Sequence, residues 1–285
     1  MTRIAFRYVG ISIVLLKLTL VAFLLATVLP GLSAADIRVD STFFTFALVG
    51  FIAQMIDGAL GMAYGVSCST MLMQFGVSPK VASAAVHTAE VFTTGVSGLS
   101  HLRFRNIDRT LFFRIVITGV IGAVIGAYLI SAIFDGNLVK PFIAAYLLIL
   151  GTIILVKGIR KKKKREGQVK RAEALAFVGG FFDAIGGGGW GPIVTSNILQ
   201  QGKNPRQTIG TVNTAEFFVA FFSTGVFLFF VGIESWQIVL GLIAGGIIAA
   251  PIGAYFASRI NKSALMILIG VVIILTSVIS IYKAF

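Results

Sequence analysis

Gly58-Ala59-Leu60-Gly61-Met62-Ala63-Tyr64-Gly65 interrupts an otherwise apolar segment, and Ala184-Ile185-Gly186-Gly187-Gly188-Gly189-Trp190-Gly191 interrupts a second one further along. Each break follows directly on an acid, Asp57 or Asp183. Glycine releases the backbone from helical φ/ψ and lets another group come close. In hydrocarbon the freed N–H and C=O groups still need partners, so unwound backbone persists only against protein or a water-filled cavity. Paired interruptions at corresponding positions of two halves point to the binding site of a secondary transporter. The expected fold is therefore an all-α integral membrane protein: an inverted-repeat transporter bundle with broken or re-entrant helices in each repeat, plus one extra N-terminal helix.

Composition agrees. The chain of 285 residues is 57% hydrophobic and 12% charged, with a mean hydropathy of +0.95. A soluble domain is nearer a quarter charged. The formal charge of +13 is no nucleic-acid signature, because the basic residues sit in short clusters. Lys157, Arg160, Lys161, Lys162, Lys163, Lys164 and Arg165 form one, and Arg103, Arg105, Arg109 and Arg114 another. Basic loops between apolar segments mark the cytoplasmic side of a membrane protein. The lone Cys68 has no intrachain disulfide partner, and no Cys/His cluster suggests a metal. No cofactor is expected. At the amino terminus Arg3, Arg7 and Lys17 precede apolar Leu18–Leu29 and then Ser33-Ala34-Ala35, which has the look of a cleaved signal. Residues 8–29 are also long enough to span a bilayer, and a retained helix is the reading taken.

Further apolar segments are expected near 42–61, 65–76, 81–101, 111–134 and 139–158, then near 174–188, 191–200, 207–231, 236–257 and 263–283. The short pieces fall below the 20 or so residues typical of a span. A shift of 126 carries Asp57 to Asp183, Gly61 to Gly187, Gly65 to Gly191, Pro79 to Pro205, and Thr88-Ala89-Glu90 to Thr214-Ala215-Glu216. Matched acids, prolines and glycines at one offset mean a duplication. The organisation read from it is residues 1–40 as N-terminal helix and linker, 41–158 as repeat 1, 159–173 as a basic linker and 174–285 as repeat 2. The Arg-rich loop near 102–110 has a base-poor mate near 228–236. With basic loops inside, equivalent loops fall on opposite sides, which makes the repeat inverted.

Of eleven acids, Asp57, Glu90, Asp183 and Glu216 lie within apolar segments, as two repeat-related pairs. An ionisable group there costs on the order of 2.5–3.5 kcal/mol and is a functional candidate. Glu90 and Glu216 read as proton carriers or organisers of a site; Asp57 and Asp183 read that way too, or as caps on the half-helices that follow. His87 and Asn213 are repeat-mates, each just before Thr-Ala-Glu, so His87, Thr88, Asn213 and Thr214 are candidate hydrogen-bond donors to an oxyanion. His87 also titrates in a useful range. Tyr64 and Trp190 hold equivalent places in the breaks and would wall a pocket. Gly61, Gly65, Gly187, Gly188 and Gly191, with Ser67 and its neighbours, place first-turn N–H groups where an anion is attracted.

The glycine break, Gly76-Val77-Ser78-Pro79, and the run from Thr94-Gly95-Val96-Ser97-Gly98 through His101-Leu102-Arg103 to Asn106-Ile107-Asp108 resemble the sulfite exporter TauE/SafE family. The likeness covers about residues 44–285. It implies a permease of the bacterial inner membrane for sulfur-containing oxyanions such as sulfite, sulfonates or thiosulfate, with export often assigned. Its partners would be that small anion and the lipid bilayer, with no nucleic acid, and a homodimer is left open. The function expected is secondary transport coupled to protons or membrane potential. No phosphate-binding loop accompanies it. A channel and a membrane-embedded enzyme are the competing classes.

Overall fold

In the computed structural model the described residues are 3–27, 39–60, 62–160, 169–201, 203–233, 236–256 and 262–282. Among them the chain is helical and has no strand. The helices are α1 (Arg3–Thr27), α2 (Ser41–Leu60), α3 (Tyr64–Gln74), α4 (Pro79–Arg103), α5 (Arg109–Tyr128), α6 (Gly136–Ile159), α7 (Ala172–Gly186), α8 (Ser196–Gln200), α9 (Pro205–Phe230), α10 (Trp236–Phe256) and α11 (Lys262–Tyr282). A π-helical turn, Leu129–Ile133, prolongs α5, and another, Trp190–Thr195, leads into α8. Tyr8–Ala26, Arg109–Ile133, Pro141–Ile159 and Gln207–Phe230 are long and apolar enough to cross a membrane. The duplication seen in the letters recurs in the helix ends: adding 126 to Leu60, Tyr64, Gln74 and Pro79 gives Gly186, Trp190, Gln200 and Pro205.

Each glycine break folds the chain back on itself. Phe46 stacks edge-on against Phe75 across α2 and α3. In the second half the Lys170 N–H donates to Gln201 Oε1 at 2.6 Å, and Val194 lies against Gly179. Both are antiparallel hairpins with the break at the tip. Ala63 (φ 90°) and Gly187 (φ 65°) make the reversal in the left-handed region. Glycine enters it freely and Ala63 only at a cost of about 1–2 kcal/mol.

The halves are interleaved. Gly245 packs on the Ala47 carbonyl and Gly241 on that of Phe43, so α10 runs parallel to α2. Gly122 and Gly126 sit against the Phe177 and Phe181 carbonyls, so α5 runs parallel to α7 in the same way. At these seams a Cβ would lie only 1.9–2.8 Å from a backbone oxygen. Small residues are what allow such an approach. The repeat-mates α4 and α9 cross antiparallel, with His87 against Phe227 and Gly98 against Thr214. Likewise α6 and α11 run antiparallel, with Gly151 against Ile273 and Gly158 against Ile267. α1 lies antiparallel on α4: Gly10 meets Leu102, Ile13 is fully buried, and Lys17 Nζ donates to the Phe92 carbonyl at 3.4 Å.

One end of the bundle holds the loop between α4 and α5, the start of α7 and the loop before α9. There Lys203 Nζ donates to Asp108 Oδ2 at 2.7 Å, and Arg114 forms a bidentate pair with Glu173 at 2.5 and 3.0 Å. The Arg114 guanidinium holds the Glu173 carboxyl down to about 2. Residues 161–168 of the basic linker lie outside the described residues.

Candidate functional site

The two hairpin tips meet at the centre of the molecule, backbone against backbone. A Cβ on Gly65 would stand 2.6 Å from the Gly187 carbonyl oxygen, one on Gly188 2.3 Å from the Val66 nitrogen, and one on Gly191 2.6 Å from Met62 Cβ. Gly65 and Gly191 are repeat-mates, each required to be bare by the opposite tip. Gly61 lies outside the described residues.

The unwound backbone is largely satisfied by side chains. Ser69 Oγ donates to the Gly187 carbonyl at 2.8 Å, Ser83 Oγ to Ala184 at 2.6 Å and the Tyr146 hydroxyl to Gly188 at 3.0 Å. Asp183 Oδ1 accepts from the Gly189 and Trp190 N–H groups at 2.7 and 3.0 Å. Asp57 accepts from Tyr64, the repeat-mate of Trp190. The N–H groups that the sequence offered to an external anion are therefore capped by the protein's own carboxylates. A carboxylate at that dipole end is worth about 0.3–1 kcal/mol or more when buried.

Around the tips lie Asp57, Glu90, Asp183 and Glu216, each at least nine-tenths buried, and His87, fully buried. Glu216 faces Asp57, Glu90 and Asp183 from α9. His87 Nδ1 lies 2.9 Å from the Ser83 carbonyl oxygen, an acceptor only, so Nδ1 carries a hydrogen. Its Nε2 lies 3.2 Å from Asp183 Oδ2, and neither atom has any other partner. Glu90 Oε2 has no partner at all.

The remaining candidates are placed as follows. Trp190 is fully buried, its Nε1 donating to the Val212 carbonyl at 3.2 Å and its ring edge against Gly119. Tyr64 points its hydroxyl towards Gly246 in the same manner, with no hydrogen-bond partner. Thr88 and Thr214 donate to Ala84 and Gly210, both at 2.7 Å, so their hydrogens are turned into their own helices. Asn213 Nδ2 donates to Ser97 at 3.3 Å. Ser97 is ten residues beyond His87 on α4, about 15 Å at 1.5 Å per residue. His87 and Asn213 thus sit on opposite sides of the α4–α9 crossing. Ser67 lines an apolar groove of about 430 Å³ between α2, α3 and α11 that shares no residue with the acid cluster. Sequence reasoning missed Ser69, Ser83 and Tyr146 as partners of the tip carbonyls. Their hydroxyl or phenol character was visible, but the position that gives each its role comes from long-range packing.

An all-helical bundle with several helices able to span a membrane, centred on two touching broken hairpins and a set of buried carboxylates, has the build of a membrane transporter. The chain belongs to the sulfite exporter TauE/SafE family, whose family model matches residues 46–279. It is 43% identical over 241 residues to the probable membrane transporter protein YtnM of Bacillus subtilis (strain 168), covering 81% of this chain and 80% of YtnM. It is 20% identical over 270 residues to the probable membrane transporter protein YunE of the same organism, covering 85% of this chain and 98% of that one. No solved structure matches it.

Proposed function

We infer that the protein is a secondary carrier of a small sulfur-containing anion, such as sulfite or an organosulfonate, in a bacterial cytoplasmic membrane. The observation that carries this reading is the contact of the two glycine tips at the centre, backed by repeat-mates α4 and α9 that cross antiparallel. Antiparallel mates are what an inverted repeat produces, and such repeats place substrate between them and work by rocking. Tips sealed against each other favour a carrier over a channel, which needs a continuous path. The tips Met62–Gly65, with Tyr64, and Gly187–Gly191, with Trp190, form the substrate region together with His87. Glu216, with Asp57 beside it, carries protons, and Glu90 and Asp183 organise the site. The end bearing Arg103, Arg105 and Arg109 faces the cytoplasm together with linker 159–173. Export is the direction the family's name suggests.

The test is uptake into proteoliposomes preloaded with sulfite, sulfoacetate, thiosulfate or sulfate, with and without a pH gradient. Counterflow of one sulfur anion above empty vesicles supports the reading. No movement of any of them refutes the substrate class, and flux without counterflow makes the protein a channel.

A further inference from the structure

The acid cluster has the wrong sign for an anion: four buried carboxylates and one imidazole surround the tips. The charged groups facing Glu90 are Asp183, Asp57 and His87, and those facing Glu216 are Asp57, Glu90 and Asp183. Three atoms on the α4–α7 side stand out. All three are buried and belong to a group whose ligand atoms lie within 4.8 Å of one another: His87 Nε2 and Asp183 Oδ2 meet only each other, at 3.2 Å, and Glu90 Oε2 has no partner at all. The orphaned Glu90 Oε2 is an observation separate from the clustering, and a costly one: a buried polar atom left unpaired loses about 1–3 kcal/mol, more if charged.

We propose that His87, Glu90 and Asp183 bind a divalent cation of the zinc, manganese or cobalt class, joining helix α4 of the first repeat to hairpin α7 of the second. The surroundings are those of a metal centre. A ligating imidazole donates its other N–H to a carbonyl or carboxylate, which fixes the ring; His87 Nδ1 does this to Ser83. A ligating carboxylate is itself hydrogen-bonded; Asp183 Oδ1 is held by two tip N–H groups while Oδ2 faces His87 Nε2. Ligands about 2.0–2.1 Å from one ion at tetrahedral angles stand about 3.3 Å apart, and Nε2 and Oδ2 are separated by 3.2 Å. A rotation of the Glu90 side chain brings the third ligand in. One neutral imidazole and two carboxylates balance a dication.

Three protein ligands leave a position open, as in catalytic zinc sites. Resting on the carrier reading above, that position would receive an oxygen of the anion and supply the positive charge the cluster lacks. Asp57 and Glu216 remain for protons. The sequence has no Cys/His grouping, and a single His with two acids from distant segments carries no local spacing that points to a metal.

The test uses the full-length protein in detergent, stripped with chelator and then titrated with Zn2+, Mn2+ and Co2+, with bound metal counted by mass spectrometry and unfolding followed thermally. Retention of one ion per chain, a rise in Tm and the visible absorption of Co2+ in a mixed nitrogen–oxygen site are expected. His87→Ala and Glu90→Gln should each weaken binding at least tenfold, while Glu216→Gln should not. No retained metal in a protein that still unfolds cooperatively overturns the proposal, as does equal retention in His87→Ala and Glu90→Gln. The Co2+ spectrum of the unmutated chain decides the matter if both variants fail to fold. Metal binding without transport of any sulfur anion would leave this inference standing and remove the sulfur-anion carrier reading; transport by protein that retains no metal would leave that reading standing and overturn this inference.

Discussion

Replacing Asp108 separates two jobs that one side chain performs at the end of the bundle. Its Oδ1 accepts from the Leu111 N–H at 3.0 Å and caps α5, while its Oδ2 pairs with Lys203 of the other repeat at 2.7 Å. The side chains are 19% and 31% exposed, so solvent screens the pair in part. Asp108→Asn keeps an acceptor for Leu111 and loses the charge. For a pair between surface and interior that costs about 1 kcal/mol, at the upper end of the range for exposed salt bridges. Asp108→Ala loses the cap as well, adding about 1 kcal/mol. At roughly 2–4 °C per kcal/mol, thermal unfolding in detergent should order the proteins as wild type, Asn variant, Ala variant, in steps of a few degrees. A double-mutant cycle with Lys203→Gln should return a coupling of about 0.5–1 kcal/mol. Partial burial raises the Asp108 carboxyl, but Lys203 and the Leu111 and Thr110 N–H groups outweigh it and hold the group below its ordinary value. A carboxylate depressed on folding stabilises above its unfolded value, about 3.9, and the contribution is lost as pH falls through the folded value. The advantage of wild type over Asp108→Asn should therefore shrink below about pH 4. Unfolding of Asp108→Asn identical to wild type, or a coupling of zero, would refute the pair as a link between repeats, and identical unfolding of the Asn and Ala variants would refute the cap.

Three further outcomes test the tips and the cluster. Gly188→Ala pushes a methyl to within 2.3 Å of the Val66 nitrogen and should cost about 1–3 kcal/mol with loss of transport. Gly76→Ala meets open space at φ 85° and should cost only about 1 kcal/mol of backbone strain, with transport retained; this pair is read by Tm and vesicle uptake. Tyr146→Phe keeps the stacking on Phe182 but leaves the Gly188 carbonyl without its donor, an expected loss of about 1 kcal/mol by Tm. Glu216→Gln, facing Asp57, Glu90 and Asp183, should flatten the pH dependence of transport while leaving Tm within a few degrees; an unchanged pH profile would assign Glu216 a packing role.

The helices were largely legible in the sequence. Apart from the start of α1, which lies five residues before the expected 8, apolar runs of helical length gave the helix ends to within three residues once the π-helical turns are counted with their helices, and the glycine breaks gave the chain reversals, because both are local properties of the backbone in an apolar setting. That the short pieces fold back as hairpins was not decided by letters. It follows from parallel α2 and α10, which leave α3 only the return direction. The site was legible as a set of residues, and less so as an arrangement. Asp57 and Asp183 were named both as functional acids and as caps, and the contacts are those of caps. Thr88 and Thr214 looked like donors to a ligand, yet a threonine inside a helix reaches its own carbonyl four residues back at no cost in packing. Asn213 and His87 share a motif position, but both lie away from the α4–α9 crossing point, where an antiparallel arrangement places repeat-mates on opposite sides of it.

The same antiparallel relation gives the asymmetry of the two ends its meaning. If the halves were equivalent, each ion pair at one end would have a mate at the other. Shifting back by 126 turns Lys203 into Val77 and Glu173 into Ala47, so the partners of Asp108 and Arg114 have no charged counterparts. Among the described residues, two inter-repeat ion pairs hold one end, and neither has a repeat-mate at the other. In the rocking carrier proposed above, breaking those pairs opposes the opening of that end alone, weakly, because solvent screens them. With both pairs removed by Lys203→Gln and Arg114→Gln, a cysteine placed at position 207 on an otherwise cysteine-free background should become more reactive to a membrane-impermeant maleimide from the basic end. Reactivity unchanged from the parent would mean that the ion pairs hold the loops in place without weighting one state over the other.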